Sequence, residues 1–397
     1  MSFFKNIELL PDDPILGLPL MFAADLNPKK VNLGIGAYKN AEGKAQVLNS
    51  IRKAENILLQ KHLNYDYLPI DGEPDYIKAG LQLLFGEGNP LLSSGELYGA
   101  HTIGGSGALR IGGEFLGEHV GKSIYYSIPS WPNHKQIFEK SGLTVSTYPY
   151  YNREEKKLDF KGMCEAIGHM PPGTIVLLQV CCHNPTGVDP TPEQWQELSK
   201  ILKEKKLFPF FDIAYQGFGK DLDQDAYAIR YFAQEGHDMC IAYSFSKNFG
   251  LYDERVGMLI IRSTNPAMID PIASQIKLLV RSSYSNPPGF GSRLATTILK
   301  SSELTEEWKR ELANMRERIM EMRKRLVANL QVKGHGTNFA PLLEQQGFFS
   351  LMGLSSDQVL QLRKDKAIYM PTNGRINIAG LNSSNLDYTV EAITAVM

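Results

Sequence analysis

The chain has 397 residues, 43% of them hydrophobic and 21% charged, a composition typical of a folded globular protein large enough for two domains. Its 42 basic and 43 acidic residues nearly cancel, so no overall electric field attracts nucleic acid or an anionic membrane surface. No apolar run approaches the roughly 20 residues of a membrane span, and the chain starts without a signal or transit pattern, which predicts a cytoplasmic protein with small-molecule partners.

Between residues 100 and 300, short apolar runs alternate with amphipathic helical patterns. The runs predict buried strands at 123–129, 174–182, 207–215, 239–245 and 256–263. After the second run, Thr191 and Pro192 predict the N-cap and first residue of a helix. Strands that alternate with helices indicate an α/β domain with a mostly parallel sheet, in which ligands bind beyond the carboxyl ends of the strands.

One long amphipathic helix is predicted over 301–334. Its apolar residues recur at steps of three and four and are expected to pack in the core: Trp308, Leu312, Met315, Ile319, Met322, Leu326 and Leu330. Shorter strand and helix patterns follow, so we expect a smaller second domain built on this helix. The four cysteines, at positions 164, 181, 182 and 240, form no CxxC pair and lack zinc-ligand spacing, which predicts reduced core residues and no metal site.

A glycine-rich segment, Gly104 to Gly107 with Ser106 inside it, stands directly before a helical pattern. Glycines let backbone amides approach an anion, and the helix dipole and the Ser106 hydroxyl favour a phosphate. The segment is not a dinucleotide fingerprint, because Arg110 stands where the third glycine belongs and no strong apolar strand precedes it. An ordinary glycine-rich helix start remains the alternative.

Three residues at predicted strand ends are candidates for contact with a ligand. Trp131 stands in a loop between two prolines, where it either presents its ring to a ligand or caps the core. Asn184 places a side-chain amide in an Asn-Pro-Thr-Gly turn. The alternative is that this turn only ends the strand. Asp212 lies in an apolar run with Tyr215 three residues later, and a buried carboxylate is costly without a partner. Either that partner is a protonated heteroaromatic nitrogen of a ligand, or the residue belongs to a structural ion pair or is a helix N-cap.

Three basic residues complete the set of candidates. Lys247 follows a predicted strand in a Ser-rich turn and has no acidic residue within four positions on either side. Arg281 precedes a Pro-Pro turn, and Arg375 stands at a turn-to-strand junction. Arginine binds carboxylates in two-point fashion, although an arginine taken alone is more often a solvated surface charge.

Taken together and in this order, the motifs resemble the class I pyridoxal-phosphate-dependent aminotransferases, most closely those that act on aspartate. The resemblance runs through VNLGIGAYKN, NYDYLPIDGEP, GGSGALR, PSWPNHKQIF, CCHNPTGVDPT, FFDIAYQGF, YSFSKNFGLYDERVG, YSNPPGFG and GRINIAG. It implies fold type I, with a large cofactor-binding domain over 46–310 that contains a mostly parallel seven-stranded sheet. It also implies a smaller α/β domain formed by both termini, with an N-terminal arm and part of that domain over 1–45 and the remainder over 311–397.

The resemblance implies roles in cofactor binding. Lys247 would bind pyridoxal phosphate covalently and then act as the base, and Asp212, supported by His134, would pair with the ring nitrogen. The ring would be contacted by Trp131, Asn184 and Tyr215. The phosphate would be held by Gly105, Ser106, Ser244 and Arg255, together with the partner subunit's Tyr67. Of these residues the catalytic set would be Lys247, Asp212, Tyr67 and Trp131.

The implied enzyme is a homodimer with shared active sites, in which the N-terminal arm lies across the partner. Arg375, near the Gly36 backbone, would bind the substrate's α-carboxylate with Trp131 and Asn184 beside it. The partner subunit's Arg281 would bind the distal carboxylate. Three positions depart from many relatives, namely Ser106 in place of Thr, Pro69 in YLPI, and Phe245 in place of Tyr or Trp, and none removes a catalytic group.

The implied reaction is reversible amino transfer between L-aspartate and 2-oxoglutarate, which gives oxaloacetate and L-glutamate. An aromatic aminotransferase of the same subfamily is the nearest alternative, because such enzymes can keep both arginines. A cofactor-binding regulator without turnover would need an added DNA-binding domain, for which neither length nor charge leaves room. A nicotinamide-dependent oxidoreductase would rest on the glycine-rich segment alone.

Overall fold

A computed structural model of the protein describes residues 3–9 and 17–397. The strands are β1 (Val31–Asn32), β2 (Leu97–Ile103), β3 (Ser123–Ile128), β4 (Thr144–Pro149), β5 (Tyr151–Asn152), β6 (Lys157–Leu158), β7 (Ile175–Gln179), β8 (Phe208–Ile213), β9 (Met239–Ser244), β10 (Val256–Arg262), β11 (Phe349–Leu351), β12 (Ile368–Tyr369) and β13 (Arg375–Asn377).

The α-helices are α1 (Leu18–Ala24), α2 (Asn49–Gln60), α3 (Pro74–Phe85), α4 (Gly104–His119), α5 (Asn133–Lys140), α6 (Phe160–Gly168), α7 (Pro192–Glu204), α8 (Tyr227–Gln234), α9 (Ile269–Ser283), α10 (Gly289–Leu299), α11 (Ser302–Leu330), α12 (Gly336–Phe339), α13 (Ser356–Lys366) and α14 (Leu386–Ala395). Short 3-10 segments lie at Pro90–Ser93, Gln224–Ala226, Pro266–Met268, Ala340–Glu344 and Ile378–Gly380, and a π-helical turn lies at Gln331–His335.

A seven-stranded sheet forms the centre of the molecule, in the order β2-β10-β9-β8-β7-β3-β4. Strand β10 runs antiparallel to both of its neighbours, and the other adjacent pairs are parallel. Every residue of β7, β9 and β10 is buried, as expected for strands that helices cover on both faces. The mostly parallel α/β sheet and all five predicted strands are therefore confirmed, although β3 is only partly buried, with Ile128 54% exposed.

Strands β7, β8 and β9 end at the same edge of the sheet. In the register of the sheet, Gln179 lies opposite Asp212 and Ile213 lies opposite Tyr243, so the segments that follow these strands leave side by side. The turn with Asn184 follows β7, Tyr215 follows β8, and the turn with Lys247 follows β9. The carboxyl ends of three adjacent strands thus bring candidate residues together.

A strand does precede the glycine-rich segment, so the sequence prediction was wrong at this point. Strand β2 leads directly into α4, and residues 98–102 within it are buried although they include His101 and Thr102. β2 lies at the edge of the sheet, where it pairs only with β10, and α3 and α9 pack against it. Its burial comes from these tertiary neighbours, which a search for continuous apolar runs does not detect.

The long helix α11 confirms the predicted amphipathic pattern, because all seven apolar residues of its stripe are buried. The indole Nε1 of Trp308 donates to the backbone oxygen of Asn248 at 2.7 Å, and its ring stacks on Phe249 at 4.4 Å. The helix is thereby joined to the turn that carries Lys247. Helix α7 also begins as predicted, with Thr191 as N-cap in a capping box with Gln194.

Both ends of the chain contribute to one region beside the sheet. Strand β1 pairs in parallel with β12, and β11 pairs with β13 in an antiparallel sense. The domain boundaries at 45 and 310 remain a prediction, and residues 1, 2 and 10–15 of the expected N-terminal arm lie outside the described residues.

None of the four cysteines forms a disulfide. Cys181, Cys182 and Cys240 are buried and Cys164 is half-buried, and all four are free thiols. Within residues 3–9 and 17–397, no helix is long and apolar enough to cross a membrane. In the same ranges no group of three or more His, Cys, Asp or Glu side chains is placed to hold a metal ion.

Candidate active site

A cavity of about 260 Å³ lies at the sheet edge where β7, β8 and β9 end. It is lined by eleven of the predicted site residues: Gly36, Gly105, Ser106, Trp131, Asn184, Asp212, Tyr215, Ser244, Lys247, Arg255 and Arg375. Segments from both ends of the chain close it from the side opposite the sheet, through Ile35, Gly36, Phe349 and Arg375. The cavity therefore gathers residues that are up to about 340 positions apart in sequence.

Lys247 presents its amine to this cavity. Its Nζ lies 5.2 Å from the centre of the Tyr215 ring. The pKa of Lys247 is lowered to about 8, mainly by burial. The Asp212 carboxylate opposes this shift, and the positive charges of Arg255 and Arg375 add to it. A much larger fraction of this amine is neutral at physiological pH than of an ordinary lysine, so it is suited to act as a nucleophile or a base.

The lowered pKa predicts how the reactivity of Lys247 depends on pH. Below a pKa of about 8 the ammonium form prevails, so the rate of reaction with an added aldehyde should rise about tenfold per pH unit and then level off above that pKa. Trapping of the adduct with borohydride, followed by mass spectrometry, measures this rate. Lys247→Arg, which offers no reactive amine at this position, is the control, and a rate that keeps rising steeply up to the ordinary lysine pKa would contradict the expectation.

The carboxylate of Asp212 is held by a buried histidine. His134 Nε2 lies 2.9 Å from Asp212 Oδ2, and His134 Nδ1 lies 2.9 Å from the Ser130 hydroxyl. If Nε2 carries the proton, it donates to Asp212, and Nδ1 accepts from Ser130. The side chain of His134 is fully buried and that of Asp212 is 11% exposed, so the carboxylate keeps one face toward the cavity.

The hydrogen bonds continue beyond Ser130. Gln179 Nε2 donates to the Ser130 hydroxyl at 3.2 Å and to the backbone oxygen of Asn184 at 3.2 Å. The hydroxyls of Ser130 and Ser127 lie 3.2 Å apart, and Ser127 Oγ contacts His183 Nε2 at 2.9 Å. Burial lowers the pKa of His183 well below its ordinary value, so this ring is neutral. A connected polar network thus fixes the position of His134 and of the Asn184 turn.

Arg375 is buried rather than solvated. One guanidinium nitrogen donates to Asn184 Oδ1 at 3.0 Å, another donates to the Gly34 backbone oxygen, and the guanidinium lies 4.1 Å from the centre of the Phe349 ring. Its Nε has no partner among the described residues. Burial lowers the pKa of Arg375 to about 10, so it stays charged at neutral pH. A buried cation that lacks a carboxylate partner is suited to receive one from a ligand.

The glycine-rich start of α4 forms an anion cradle with Arg255 and Ser244. Gly104 has φ of +63°, and a Cβ there would lie 2.5 Å from Arg255 Nη2, so only glycine fits. A Cβ on Gly105 would lie 2.9 Å from Ser244 Cβ. Free backbone N–H groups at a helix start, two serine hydroxyls and a guanidinium form a donor set that suits a phosphate group.

Three predicted residues do not line this cavity. His134 lies behind Asp212, and the other two, Tyr67 and Arg281, lie elsewhere. Tyr67 is 87% exposed and lines a different cavity of about 870 Å³. Arg281 is exposed near the end of α9 and donates a hydrogen bond to the Ser285 hydroxyl. The resemblance assigns both residues to the partner's site, so their positions in one chain leave that assignment a prediction.

Of the three positions that depart from many relatives, Ser106 lines the cavity and Phe245 and Pro69 do not. Phe245 is fully buried and packs against Tyr243 and Tyr76, with ring centres 4.5 and 5.6 Å apart, so it faces the core. The backbone oxygen of Pro69 accepts from Gly72 N at 2.9 Å in a tight turn. Ser106 lines the cavity with the hydroxyl that threonine would supply.

Several residues of the cavity were not predicted from the sequence. They are Ile35, Leu109, Gln179, Cys181, Ala214, Ser246 and Phe349 in the lining, and Ser127 and Ser130 behind it. Gln179 could have been found, because a polar side chain at the end of an apolar strand is the signal that singled out Asp212. Phe349 carries no comparable signal, since only the fold brings it to Arg375.

Comparisons with known proteins agree with this geometry. A family model described as "Aminotransferase class I and II" matches residues 28–393. The chain is 45% identical to an aspartate aminotransferase of Salmonella typhi and 44% identical to that of Escherichia coli K12, over 99% of this chain and the whole of each relative.

Solved structures show the same similarity. An aromatic-amino-acid aminotransferase from Burkholderia pseudomallei, covalently bound to pyridoxal phosphate, superposes with a TM-score of 0.97 at 44% identity and covers the whole of both chains. An aspartate aminotransferase from the cytoplasm of Saccharomyces cerevisiae has a TM-score of 0.97 at 38% identity, over 99% of this chain and 98% of its own.

Proposed function

This chain belongs to the class I and II aminotransferase family, and on this premise we propose that it is a pyridoxal-phosphate-dependent enzyme that transfers an amino group between L-aspartate and 2-oxoglutarate. The products are oxaloacetate and L-glutamate. One observation carries the proposal: a single cavity holds the Lys247 amine, the Asp212 carboxylate with its histidine, and the buried Arg375 guanidinium. Full-length relatives at 42–45% identity are aspartate aminotransferases.

The residues of the cavity fit pyridoxal phosphate. The start of α4 with Ser106, Ser244 and Arg255 suits the phosphate, and the Asp212 carboxylate suits a protonated ring nitrogen. Lys247 supplies an amine for covalent attachment. When bound, the cofactor supplies an electron-withdrawing ring that stabilises negative charge at the substrate Cα.

The chain's own residues then have distinct tasks. Lys247, in its neutral form, takes the proton from the substrate Cα and later returns a proton. Burial raises the pKa of Tyr215 far above its ordinary value, so its hydroxyl keeps its proton and can donate a hydrogen bond to the cofactor. The Oδ1 of Asn184 already accepts from Arg375, which leaves its amide nitrogen to donate in the same way. Trp131 lines the same cavity and would pack against the cofactor ring when the cofactor is bound.

Arg375 binds the α-carboxylate that all amino-acid substrates share. Its contacts with Asn184, Gly34 and Phe349 hold the guanidinium in one orientation, so a carboxylate meets a prepared two-point donor. Gly36 lines the cavity together with Arg375 and Phe349. A Cβ on Gly36 would lie 2.7 Å from Phe349 Cζ, so a larger residue would displace the Phe349 ring.

The proposed assembly is a two-fold homodimer with shared sites. Exposed apolar side chains surround the cavity that Tyr67 lines, namely Leu59, Leu63, Tyr65 and Phe290. A second copy that covers them would bring the partner's Tyr67 and the partner's Arg281 to each active site. We further propose a cytoplasmic location and the division into a large domain over 46–310 and a small one formed by 1–45 and 311–397.

Replacement of Arg281 tests whether the enzyme recognises the distal carboxylate of its substrate. We expect Arg281→Ala to lower kcat/KM for aspartate and glutamate by about tenfold or more, because the charge-assisted bond to the distal carboxylate is lost. Phenylalanine has no distal carboxylate, so its kcat/KM should stay within about twofold. A panel of donors with 2-oxoglutarate measures both effects. Lys161→Ala, which removes a charge from a side chain that is 88% exposed, is the control. Equal loss for every donor would contradict the role of Arg281.

Amino transfer from aromatic amino acids is the second candidate function, because the similar structure from Burkholderia pseudomallei is that of an aromatic-amino-acid aminotransferase. Comparison of kcat/KM for aspartate and phenylalanine in the unaltered enzyme separates the two. A clear preference for phenylalanine would replace the aspartate proposal, and the roles of Lys247, Asp212 and Arg375 would remain as stated.

A further inference from the structure

A separate cavity of about 460 Å³ lies along helix α11, between that helix, the loop that follows Tyr215 and the segment that precedes β11. We call it the α11 cavity. Four cationic side chains and two acidic ones line it: Lys220, Arg316, Arg323, Lys324, Glu317 and Glu344. Its volume is in the range of small-molecule sites, which is about 300 to 1,000 Å³.

Arg323 is the unusual residue in this cavity. Its side chain is 2% exposed, and its one hydrogen bond among the described residues runs from Nη2 to the Gly347 backbone oxygen at 2.6 Å. Its Nε and Nη1 have no partner, and no carboxylate pairs with it, in the part of the chain that the structure describes. A buried cation is costly to the fold unless an anion balances its charge.

The nearest groups do not supply that anion. Cys182 lies beside Arg323, but burial raises the pKa of this thiol to about 11, so it is neutral at physiological pH. Burial lowers the pKa of Arg323 to about 10, so the guanidinium remains charged. Asp225 is also buried, but its carboxylate accepts hydrogen bonds from the backbone N–H groups of Gly217, Gly219 and Lys220 and does not pair with Arg323.

Two acidic side chains line the cavity against four cationic ones. Glu344 pairs with Lys157 at 4.0 Å, whereas no ion pair joins Glu317 to a cation among the described residues. Arg316 Nη1 donates to the Gly217 backbone oxygen at 3.3 Å. Lys324 is exposed at the mouth of the cavity. The cavity thus retains uncompensated positive charge at Arg323 and Lys324.

We propose that the α11 cavity binds a small oxyanion, a carboxylate or a phosphate group, with Arg323 as the buried anchor and Lys220, Arg316 and Lys324 at the mouth. The planar guanidinium has two unused donor atoms and suits two-point binding of either oxyanion. Met320 and Leu343 line the same cavity and are 42% and 53% exposed, so they offer an apolar contact to the carbon part of the ligand.

Two short series of contacts connect the α11 cavity to the active site, one through Gly347 and Phe349 and one through Gln346 and Gly187. Arg323 holds Gly347, which is two residues before Phe349, and the Phe349 ring packs on Arg375. The backbone N–H of Gln346 donates to the oxygen of Gly187 at 2.7 Å, in the turn that carries Asn184. An anion that changes the position of Arg323 therefore acts on both neighbours of Arg375, and we expect it to change KM for the amino donor. This coupling rests on the proposed function, whereas binding to the cavity does not.

Calorimetric titration of the holoenzyme with inorganic phosphate and, separately, with citrate tests binding. We expect at least one probe to bind, with the dissociation constant raised about tenfold in Lys220→Gln/Lys324→Gln and beyond detection in Arg323→Gln. The lysine double variant keeps the test valid if Arg323→Gln does not fold. Lys161→Gln is the matched control for loss of an exposed charge, and should leave binding unchanged. Binding of phosphate alone indicates a phosphate ligand, and binding of citrate alone a carboxylate ligand.

Two results would overturn the site. The first is that neither probe binds at matched ionic strength. The second is that binding disappears in Arg375→Lys and persists in both α11-cavity variants, which would place the anion in the active site. For the coupling, KM for aspartate should shift with the bound probe in the parent enzyme and not in Lys220→Gln/Lys324→Gln. A KM that does not change while the probe is bound overturns the coupling and leaves the binding site. Failure of the aspartate proposal would appear instead as absent turnover without any probe.

Discussion

Replacement of Lys247 by alanine is expected to lower kcat for amino transfer by at least about a thousandfold. Lys247 is the only lysine among the described residues that line the active-site cavity. In the proposed mechanism the change therefore removes both the amine that attaches the cofactor and the base that moves the proton. Steady-state assays with aspartate and 2-oxoglutarate measure the loss. Mass spectrometry after borohydride reduction should show the cofactor attached to the parent enzyme and absent from the variant.

Lys247→Arg is the companion to this variant, because it retains a positive charge but offers no neutral amine at physiological pH. We expect it to be about as inactive as Lys247→Ala. Thermal unfolding of both variants controls for damage to the fold. Full transamination by folded Lys247→Ala would remove the central assignment, whatever the substrate.

Replacement of Arg375 by lysine is expected to lower kcat/KM by roughly 30-fold to a thousandfold, because a buried charge-assisted pair with the substrate is disrupted. Lysine lacks the planar fork, so it cannot keep the contacts with Asn184 and Gly34 and also bind a carboxylate at two points. The α-carboxylate is common to all substrates, so KM should rise for aspartate, glutamate and 2-oxoglutarate alike. Initial rates over a range of each substrate concentration measure this rise.

Arg318→Lys on helix α11 is the matched control. Arg375 donates to one side-chain and one backbone oxygen, and Arg318 donates to two backbone oxygens, of Asn40 and Leu381. The Arg318 guanidinium lies 5.3 Å from the centre of the Tyr38 ring. The two variants lose similar structural contacts, but Arg318 does not line the active-site cavity. We expect Arg318→Lys to keep kcat/KM within about twofold. Similar losses in both variants would show that Arg375 matters for stability and not for substrate binding.

The contrast between Asp212 and Arg375 shows where local sequence is informative. A carboxylate inside an apolar run is costly, so its position alone indicated that Asp212 needs a partner, and the structure supplies His134. An arginine beside a turn carries no such indication, because most arginines are solvated. Only the packing of Phe349 and Asn184 around Arg375 removes it from water.

The network behind the site and the α11 cavity depend on the fold in the same way. Ser130 and Gln179 belong to different strand ends, and their hydroxyl and amide meet because β3, β7 and β8 are neighbours in the sheet. Arg323 stands on a helix whose pattern was read correctly, but neither its burial nor its missing counter-charge follows from that pattern. Edge strand β2 was missed because its burial comes from α3 and α9.

The sequence by itself determined the alternation of strands and helices, the long helix α11, the glycine-rich start of α4 and the family. These features follow from periodicity, capping and short motifs, all of which act over a few residues. The tertiary structure decided which groups meet in the cavity, how far burial lowers the pKa of Lys247, and which arginines lie away from water. Contacts between distant segments and the exclusion of solvent exist only once the chain has folded, because both depend on the position of every neighbour in space.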